Sequence, residues 1–175
     1  MTTSKTSTAA NRFLLLARHA KSSWTHSGLS DHDRPLNKRG LHDAPMMGER
    51  LAAHDLRPEL IVSSSAVRAL STATEMAHQL GLAEDRVQVE PRIYGAGPNE
   101  LLDIVHGLDD GARRVMLVGH NPTLLETVER LANRELGHMP TCAIAFLQVH
   151  ADTWREVAWG AAELLDFQDP RHADT

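Results

Sequence analysis

The sequence has one cysteine, few aromatic residues and no long apolar run, and each shortage narrows the class of protein. Because Cys142 is the sole cysteine, no disulfide can form within the chain, which suits a reducing compartment. Aromatic residues make up only 4% of the chain. Apolar runs such as Phe13–Ala17 are far too short for a membrane span or for the core of a signal peptide. We therefore expect a cytoplasmic protein without a membrane partner.

An excess of positive charge is also missing. The chain carries 18 Lys and Arg against 23 Asp and Glu, a formal net charge of −5, whereas nucleic-acid binding needs a basic face. No nucleic-acid partner is therefore expected. The 175 residues suit one domain with an ordinary globular composition. We predict a flexible tail over 1–11, a single domain over 12–168 and a second tail over 169–175.

Apolar runs alternate with amphipathic segments along the chain. Leu41, Ala44 and Leu51 recur with helical spacing, for example, whereas Leu60–Val62 is a short buried run. Such alternation predicts an α/β fold: three αβα layers with a mostly parallel central sheet. The predicted strands are 13–17, 60–62, 86–89, 115–118, 144–150 and 155–159, the last two as an antiparallel pair, and the predicted helices are 37–54, 66–80, 98–106 and 122–132.

Cationic and imidazole side chains follow three of the predicted strands. Arg18 and His19 follow the first, Ser63–Ser65 and then Arg68 follow the second, and His120 follows the strand at 115–118. Ligands of such sheets bind beyond the carboxyl ends of strands, so neighbouring strands would bring these side chains into one pocket. Arginine matches phosphate oxygens, and a neutral imidazole can attack phosphorus. Each motif alone is more typical of a surface pair, a helix cap or a loop, but together they indicate a phosphate site.

Three segments then resemble a known family. FLLLARHAKSSW at 13–24 resembles the signature of the histidine phosphatase superfamily, the phosphoglycerate-mutase-like group. The segments at 64–73 and 118–122 resemble its second and third motifs, and DRPLNKRG at 33–40 is similar to a segment of the small SixA-type phosphohistidine phosphatases. The resemblance spans about 12–150 and implies a phosphoglycerate-mutase-like fold and a phosphatase that forms a phosphohistidine intermediate.

The resemblance also implies a role for individual residues, none of which needs a metal or another cofactor. One histidine attacks phosphorus, two arginines hold the phosphoryl oxygens, and a second histidine stabilises the charge that develops. Ala20 departs from the glycine common in the family, which we expect to shift the backbone slightly without loss of function. In this sequence the catalytic residues would be His19, Arg18, Arg68 and His120, and the substrate-binding residues Arg18, Ser22, Arg68 and Asn121.

Two further expectations concern the nucleophile and the proton donor. Positive neighbours should keep His19 neutral, with its other ring nitrogen bonded to a backbone carbonyl. A general acid is not evident: Glu90, Asp33 and Glu100 are the candidates. Because an imidazole leaves more readily than a serine alkoxide, a pocket with a weak acid would favour phosphohistidine.

Three functions stay open, with one preferred. The preferred function is a phosphatase for phosphohistidine on a protein. The second is a phosphatase or mutase for a small phosphorylated metabolite, and the third is a phosphate-binding module without catalysis. A metal site at His26, Asp31, His32 and Asp33 matches no standard ligand spacing, so no metal is predicted.

Overall fold

A six-stranded sheet organises residues 11–172, the part of the chain that the computed structural model describes. Its order is β3-β2-β4-β1-β5-β6, and each predicted helix is present with ends within one residue of the prediction. The strands are β1 Arg12–Arg18, β2 Leu60–Ser63, β3 Val87–Val89, β4 Arg114–Gly119, β5 Ile144–Val149 and β6 Ala162–Gln168; the helices are α1 Lys38–Ala53, α2 Val67–Leu80, α3 Pro98–His106 and α4 Thr123–Ala132.

The first four strands are parallel, and β5 and β6 continue the sheet antiparallel. Alternate residues of β1 face two separate cores. Leu14 and Leu16 pack in the core that includes residues of α3 and α4, whereas Leu15 and Ala17 pack in the core that includes residues of α1 and α2. Helices therefore cover both faces of the sheet, which confirms the predicted αβα layers.

The sequence prediction was wrong about the last strand. Residues Trp154–Glu156 form a short 3-10 turn, because the indole of Trp154 is fully buried and its Nε1 donates to the carbonyl of Ala112 at 2.8 Å. The antiparallel partner of β5 is instead β6, with Ala145 opposite Phe167. This edge strand mixes apolar with charged residues, so no simple apolar run marks it.

The chain after β6 lies against α1. Asp169 is buried, and Nη1 of Arg50 donates to the carbonyls of Asp169 and His172 at 3.0 and 2.9 Å. Most of the predicted tail over 1–11, and residues 173–175 of the second tail, lie outside the described residues. No helix within 11–172 has both the length and the apolar character needed to cross a bilayer.

The N-terminus of α1 is docked on the loop that follows β1. Asn37 caps the helix by accepting from the N–H of Gly40 at 2.9 Å, and its own N–H donates to the carbonyl of Lys21 at 3.0 Å. A Cβ on Gly40 would overlap that same carbonyl oxygen. Glycine at this position therefore lets α1 approach the loop closely.

Gly40→Ala should destabilise the protein, although alanine is the better helix former. We expect the free energy of unfolding to fall by about 1 to 3 kcal/mol, because the new methyl group overlaps backbone that cannot rotate away. Urea unfolding measures the change. Gly107→Ala is the matched control, because a Cβ there meets nothing closer than 3.6 Å. A Gly40→Ala protein as stable as wild type would contradict the docking.

Candidate active site

Three neighbouring parallel strands bring the predicted residues together. Strands β2, β4 and β1 are adjacent in the sheet, so their carboxyl ends meet at one edge. The pocket at this edge has a volume of about 270 Å³. All six residues predicted from the sequence line it: Arg18, His19, Ser22, Arg68, His120 and Asn121.

His19 is buried and held in one orientation. Its Nδ1 lies 2.7 Å from the carbonyl oxygen of Ala20. Because a carbonyl can only accept, Nδ1 carries the proton, and Nε2 keeps its lone pair. The backbone bond expected from the sequence is therefore confirmed. The hydroxyl of Thr72 supports this geometry, since it accepts from the N–H of Ala20 at 3.0 Å and donates to the carbonyl of Arg68 at 2.7 Å.

Both site histidines are neutral over the physiological range. Burial lowers the pKa of His19 to about 3, against the raising effect of the Ala20 bond, and the charges of His120, Arg68 and Arg18 lower it further. Burial and the charge of Arg68 lower the pKa of His120 to about 4. A neutral imidazole is the form that can attack phosphorus.

Ser64 holds the ring of His120 in place. Nε2 of His120 lies 2.8 Å from Oγ of Ser64, and that oxygen also accepts from the N–H of Ala66 at 3.2 Å. The Ser64 hydroxyl can donate to Nε2, and in that tautomer the proton of the neutral ring lies on Nδ1. The rings of His120 and His19 lie 5.2 Å apart between centroids.

Buried polar atoms without a hydrogen-bond partner concentrate in residues that line this pocket. In the described part of the chain, three buried side-chain atoms have no hydrogen-bond partner: Nε of Arg18, Nε of Arg68 and Nδ1 of His120. All three residues line the site. Leaving a buried donor unpaired costs about 1 to 3 kcal/mol, more for a charged group, so the residues that line this site carry an energetic cost in the free protein.

Asp31 is a pocket carboxylate that was not among the acid candidates predicted from the sequence. Its Oδ2 accepts from the Tyr94 hydroxyl at 2.8 Å and from Nη2 of Arg68 at 3.1 Å, and its carbonyl accepts from Nη1 of Arg68 at 2.6 Å. The Tyr94 bond, with help from Arg68 and Arg34, lowers the pKa of Asp31 to about 2. Asp31 is therefore ionised at neutral pH. The loop after β1 holds two acidic residues, Asp31 and Asp33, and its sequence does not distinguish which one turns inward.

None of the three acid candidates from the sequence lines the pocket. The carboxylate of Glu90 is paired with Arg92 at 3.0 Å, and Asp33 is paired with His32 at 3.1 Å. Glu100 lies in the first turn of α3. Each carboxylate fails as a proton donor because the fold places it outside the site.

Ser22 and Asn121 line the pocket, but protein partners already engage their polar groups. Oγ of Ser22 accepts from Nη1 of Arg34 at 2.7 Å, and its own hydrogen remains able to donate. The amide of Asn121 donates to the Met139 carbonyl at 2.9 Å and accepts from the N–H of Leu125 at 3.3 Å. Asn121 thus ties the loop before β5 to α4, a structural contact that the sequence did not predict.

No metal cluster accompanies the site. Within residues 11–172, no group of three or more His, Cys, Asp or Glu side chains is placed to hold an ion. The ring of His32, a candidate in the sequence, lies 3.0 Å from Oγ of Ser65 through Nε2. Cys142 is buried, which raises its pKa above the usual range and makes it unreactive.

The sheet order and the imidazoles and arginines at its edge define a phosphoglycerate-mutase-like α/β protein. A family model of the histidine phosphatase superfamily (branch 1) matches residues 14–94. The structure of a candidate phosphohistidine phosphatase SixA from Agrobacterium tumefaciens aligns with a TM-score of 0.76 at 30% identity, over 91% of this chain and 98% of that one. The chain belongs to the histidine phosphatase superfamily.

Two further relatives extend along almost the whole chain. A candidate SixA from Nakamurella multipartitia aligns with a TM-score of 0.80 at 29% identity, over 93% of this chain and 98% of that one. An uncharacterised protein of Mycobacterium tuberculosis is 34% identical over 164 residues, which cover 88% of this chain and 99% of that protein. The family resemblance found in the sequence is thereby confirmed.

The low pKa of His19 should reduce stability in acid. As pH falls below 6.5, the ordinary histidine pKa, His19 becomes protonated in the unfolded chain but stays neutral in the folded protein until about pH 3. Protonation therefore stabilises the unfolded state and lowers the free energy of unfolding. His19→Asn removes this penalty. The difference in unfolding free energy between His19→Asn and wild type should therefore shift in favour of the variant by roughly 1 to 2 kcal/mol from pH 7.5 to pH 5, measured by urea titration at both pH values. Exposed His26→Asn is the control, and equal behaviour of both variants would contradict a buried neutral His19.

Proposed function

We propose that this protein is a metal-independent phosphatase that removes the phosphoryl group from phosphohistidine on a protein. The observation that carries the proposal is the lone pair on Nε2 of His19 in a pocket that Arg18, Arg68 and His120 also line, each with an unpaired buried nitrogen. These donors suit the oxygens of a phosphoryl group, whose transfer needs positioning and charge stabilisation. The candidate SixA relatives, described as phosphohistidine phosphatases, support the same choice.

The first step transfers the phosphoryl group to the enzyme. Nε2 of His19 donates its electron pair to phosphorus, and the bond from phosphorus to the substrate imidazole breaks. The substrate imidazole, protonated on its other nitrogen, takes the electron pair of that bond and leaves as a neutral ring. Arg18 and Arg68 hold the phosphoryl oxygens, and the Nδ1–H of His120 stabilises the charge that develops.

The second step returns the enzyme to its starting state. Water attacks phosphorus, the bond to Nε2 breaks, and inorganic phosphate leaves while its proton passes to solvent. His19 recovers its lone pair, and the bond from Nδ1 to Ala20 keeps the ring in place throughout. No proton on Nε2 has to be removed before the next cycle.

The state of Asp31 favours a phosphoramidate substrate. A serine alkoxide must be protonated as it leaves, and Asp31, with a pKa of about 2, holds no proton at neutral pH. An imidazole leaves as a neutral ring because its conjugate acid has a pKa of about 6.5. The site therefore meets the chemical needs of phosphohistidine better than those of phosphoserine.

One observation favours the second candidate, a phosphatase for a small phosphorylated metabolite. A cavity of about 450 Å³ adjoins the site at Arg68 and His120 and is lined by Ile93, Tyr94 and Leu124, among others. It offers room and apolar contacts for a compact organic leaving group. The SixA relatives and the absence of a protonated acid at the site outweigh this cavity.

A phosphoenzyme should form on His19. Mixing with phosphohistidine protein and quenching without acid should trap an acid-labile phosphoryl group, located by mass spectrometry. His19→Ala should abolish both adduct and turnover, because no other imidazole lone pair has this setting. Glu90→Gln, outside the pocket, is the control and should retain activity. An acid-stable adduct on Ser63, Ser64 or Ser65, or binding without turnover, would contradict the mechanism.

Substrate preference should follow the leaving group. We expect kcat/KM for a phosphohistidine protein to exceed that for phosphoserine peptides about 100-fold or more, the usual effect of one missing proton transfer. Asp31→Asn should change both values by the same factor, because Asp31 holds no proton to give. A selective loss with phosphoserine would identify Asp31 as an acid, and a strong preference for one small metabolite would favour the second candidate.

A further inference from the structure

A second depression lies beside the phosphoryl pocket and is strongly cationic. It has a volume of about 200 Å³ and shares Arg18, Lys21 and Thr141 with the candidate active site. Its other charged or titratable lining residues are Arg39, His138 and Arg171, and none of the residues that line it is acidic. Four of the chain's 18 Lys and Arg residues thus meet in one small depression of a protein with a net charge of −5.

Among the described residues, only one of these four cations has a carboxylate partner. Nε of Arg39 lies 3.4 Å from Oδ2 of Asp43, whereas no described carboxylate lies within 4.0 Å of the charged groups of Lys21 or Arg171. Both of the latter side chains are exposed. Like charges this close repel one another, so an anion bound among them would relieve the repulsion.

The fold holds the walls of the depression in place. On one side, the carbonyl of Lys21 accepts from Asn37 and abuts Gly40, which brings the first turn of α1 and Arg39 to the rim. On the other side, the carbonyl of Met139 accepts from Nη1 of Arg18 at 3.0 Å, which fixes the loop before β5. These contacts join the depression rigidly to the phosphoryl site.

The C-terminal wall is fixed in the same way. Asp169 is buried, its carbonyl accepts from Arg50, and its Oδ1 accepts from the backbone N–H of Arg171 at 2.8 Å. The backbone of Arg171 is therefore positioned, and the residue is exposed. A cation on a fixed backbone loses less conformational entropy on binding than one on a loose chain.

We propose that this depression, lined by Lys21, Arg39 and Arg171, is a second anion subsite that binds a carboxylate of the substrate protein beside the phosphohistidine. The inference rests on the proposed function. Because Arg18 lines both pockets, the carboxylate would lie next to the phosphoryl group under attack. The subsite would select phosphohistidines with an acidic neighbour and raise the rate of encounter with an acidic surface.

The test compares paired substrates on a variant outside the catalytic set. The variant is Arg39→Gln/Arg171→Gln, whose two residues line the depression and not the phosphoryl pocket. The substrates are two phosphohistidine peptides that differ only in Glu or Gln beside the phosphohistidine. We expect kcat/KM of the variant to fall about 10-fold for the Glu peptide, through KM, and less than twofold for the Gln peptide and for p-nitrophenyl phosphate. Thermal unfolding checks that the variant is folded.

Arg134→Gln is the matched control, because this exposed arginine follows the far end of α4. Equal effects of the double variant on both peptides, or the same selectivity loss in Arg134→Gln, would overturn the subsite. A loss confined to a small substrate with two phosphates would overturn its assignment to a protein carboxylate. Failure of wild type to hydrolyse either peptide would instead count against the proposed function, so the two failures are distinguishable.

Discussion

The hydrogen bond from Nδ1 of His19 to the carbonyl of Ala20 is the contact on which the rest of the site depends. It decides which ring nitrogen holds the proton and therefore which one faces the pocket. Thr72 extends this contact into α2, since its hydroxyl joins the N–H of Ala20 to the carbonyl of Arg68. The orientation of His19 and the start of the helix that carries Arg68 are thus set by one chain of bonds.

Neutral imidazoles follow from the same arrangement. Burial at the sheet edge lowers the pKa of both His19 and His120, so that neither adds charge to a pocket that already holds Arg18 and Arg68. The cost appears as buried donors without partners, and these concentrate at this site within the described residues. In the proposed function, a phosphoryl group would supply acceptors to Arg18, Arg68 and His120 and offset part of this cost.

Asp31 affects both the orientation of Arg68 and the kind of leaving group that suits the site. Its carboxylate and carbonyl occupy both Nη atoms of the guanidinium, while Nε stays unpaired. The carboxylate orients the arginine and, being ionised, withholds the proton that an alkyl leaving group needs. One side chain therefore orients Arg68 and, in the proposed function, favours leaving groups that tolerate the absence of an acid.

The sequence by itself determined the layered fold and the four residues Arg18, His19, Arg68 and His120 as candidates. Strand periodicity and helix caps are local signals, and the carboxyl ends of parallel strands meet wherever the strands are neighbours. Local signals were misleading at 155–159, where burial of Trp154 overrode the strand pattern, and at β6, whose mixed residues carry no clear period.

Only the tertiary structure decided which loop residues turn inward. Asp31, Asp33 and Glu90 look alike as sequence, yet a hydrogen bond from Tyr94, which follows β3, selects Asp31, while His32 and Arg92 hold the other two away. The cationic depression likewise joins Lys21, Arg39 and Arg171, residues far apart in the chain. The proximity of such residues depends on long-range packing, and no local sequence pattern predicts it.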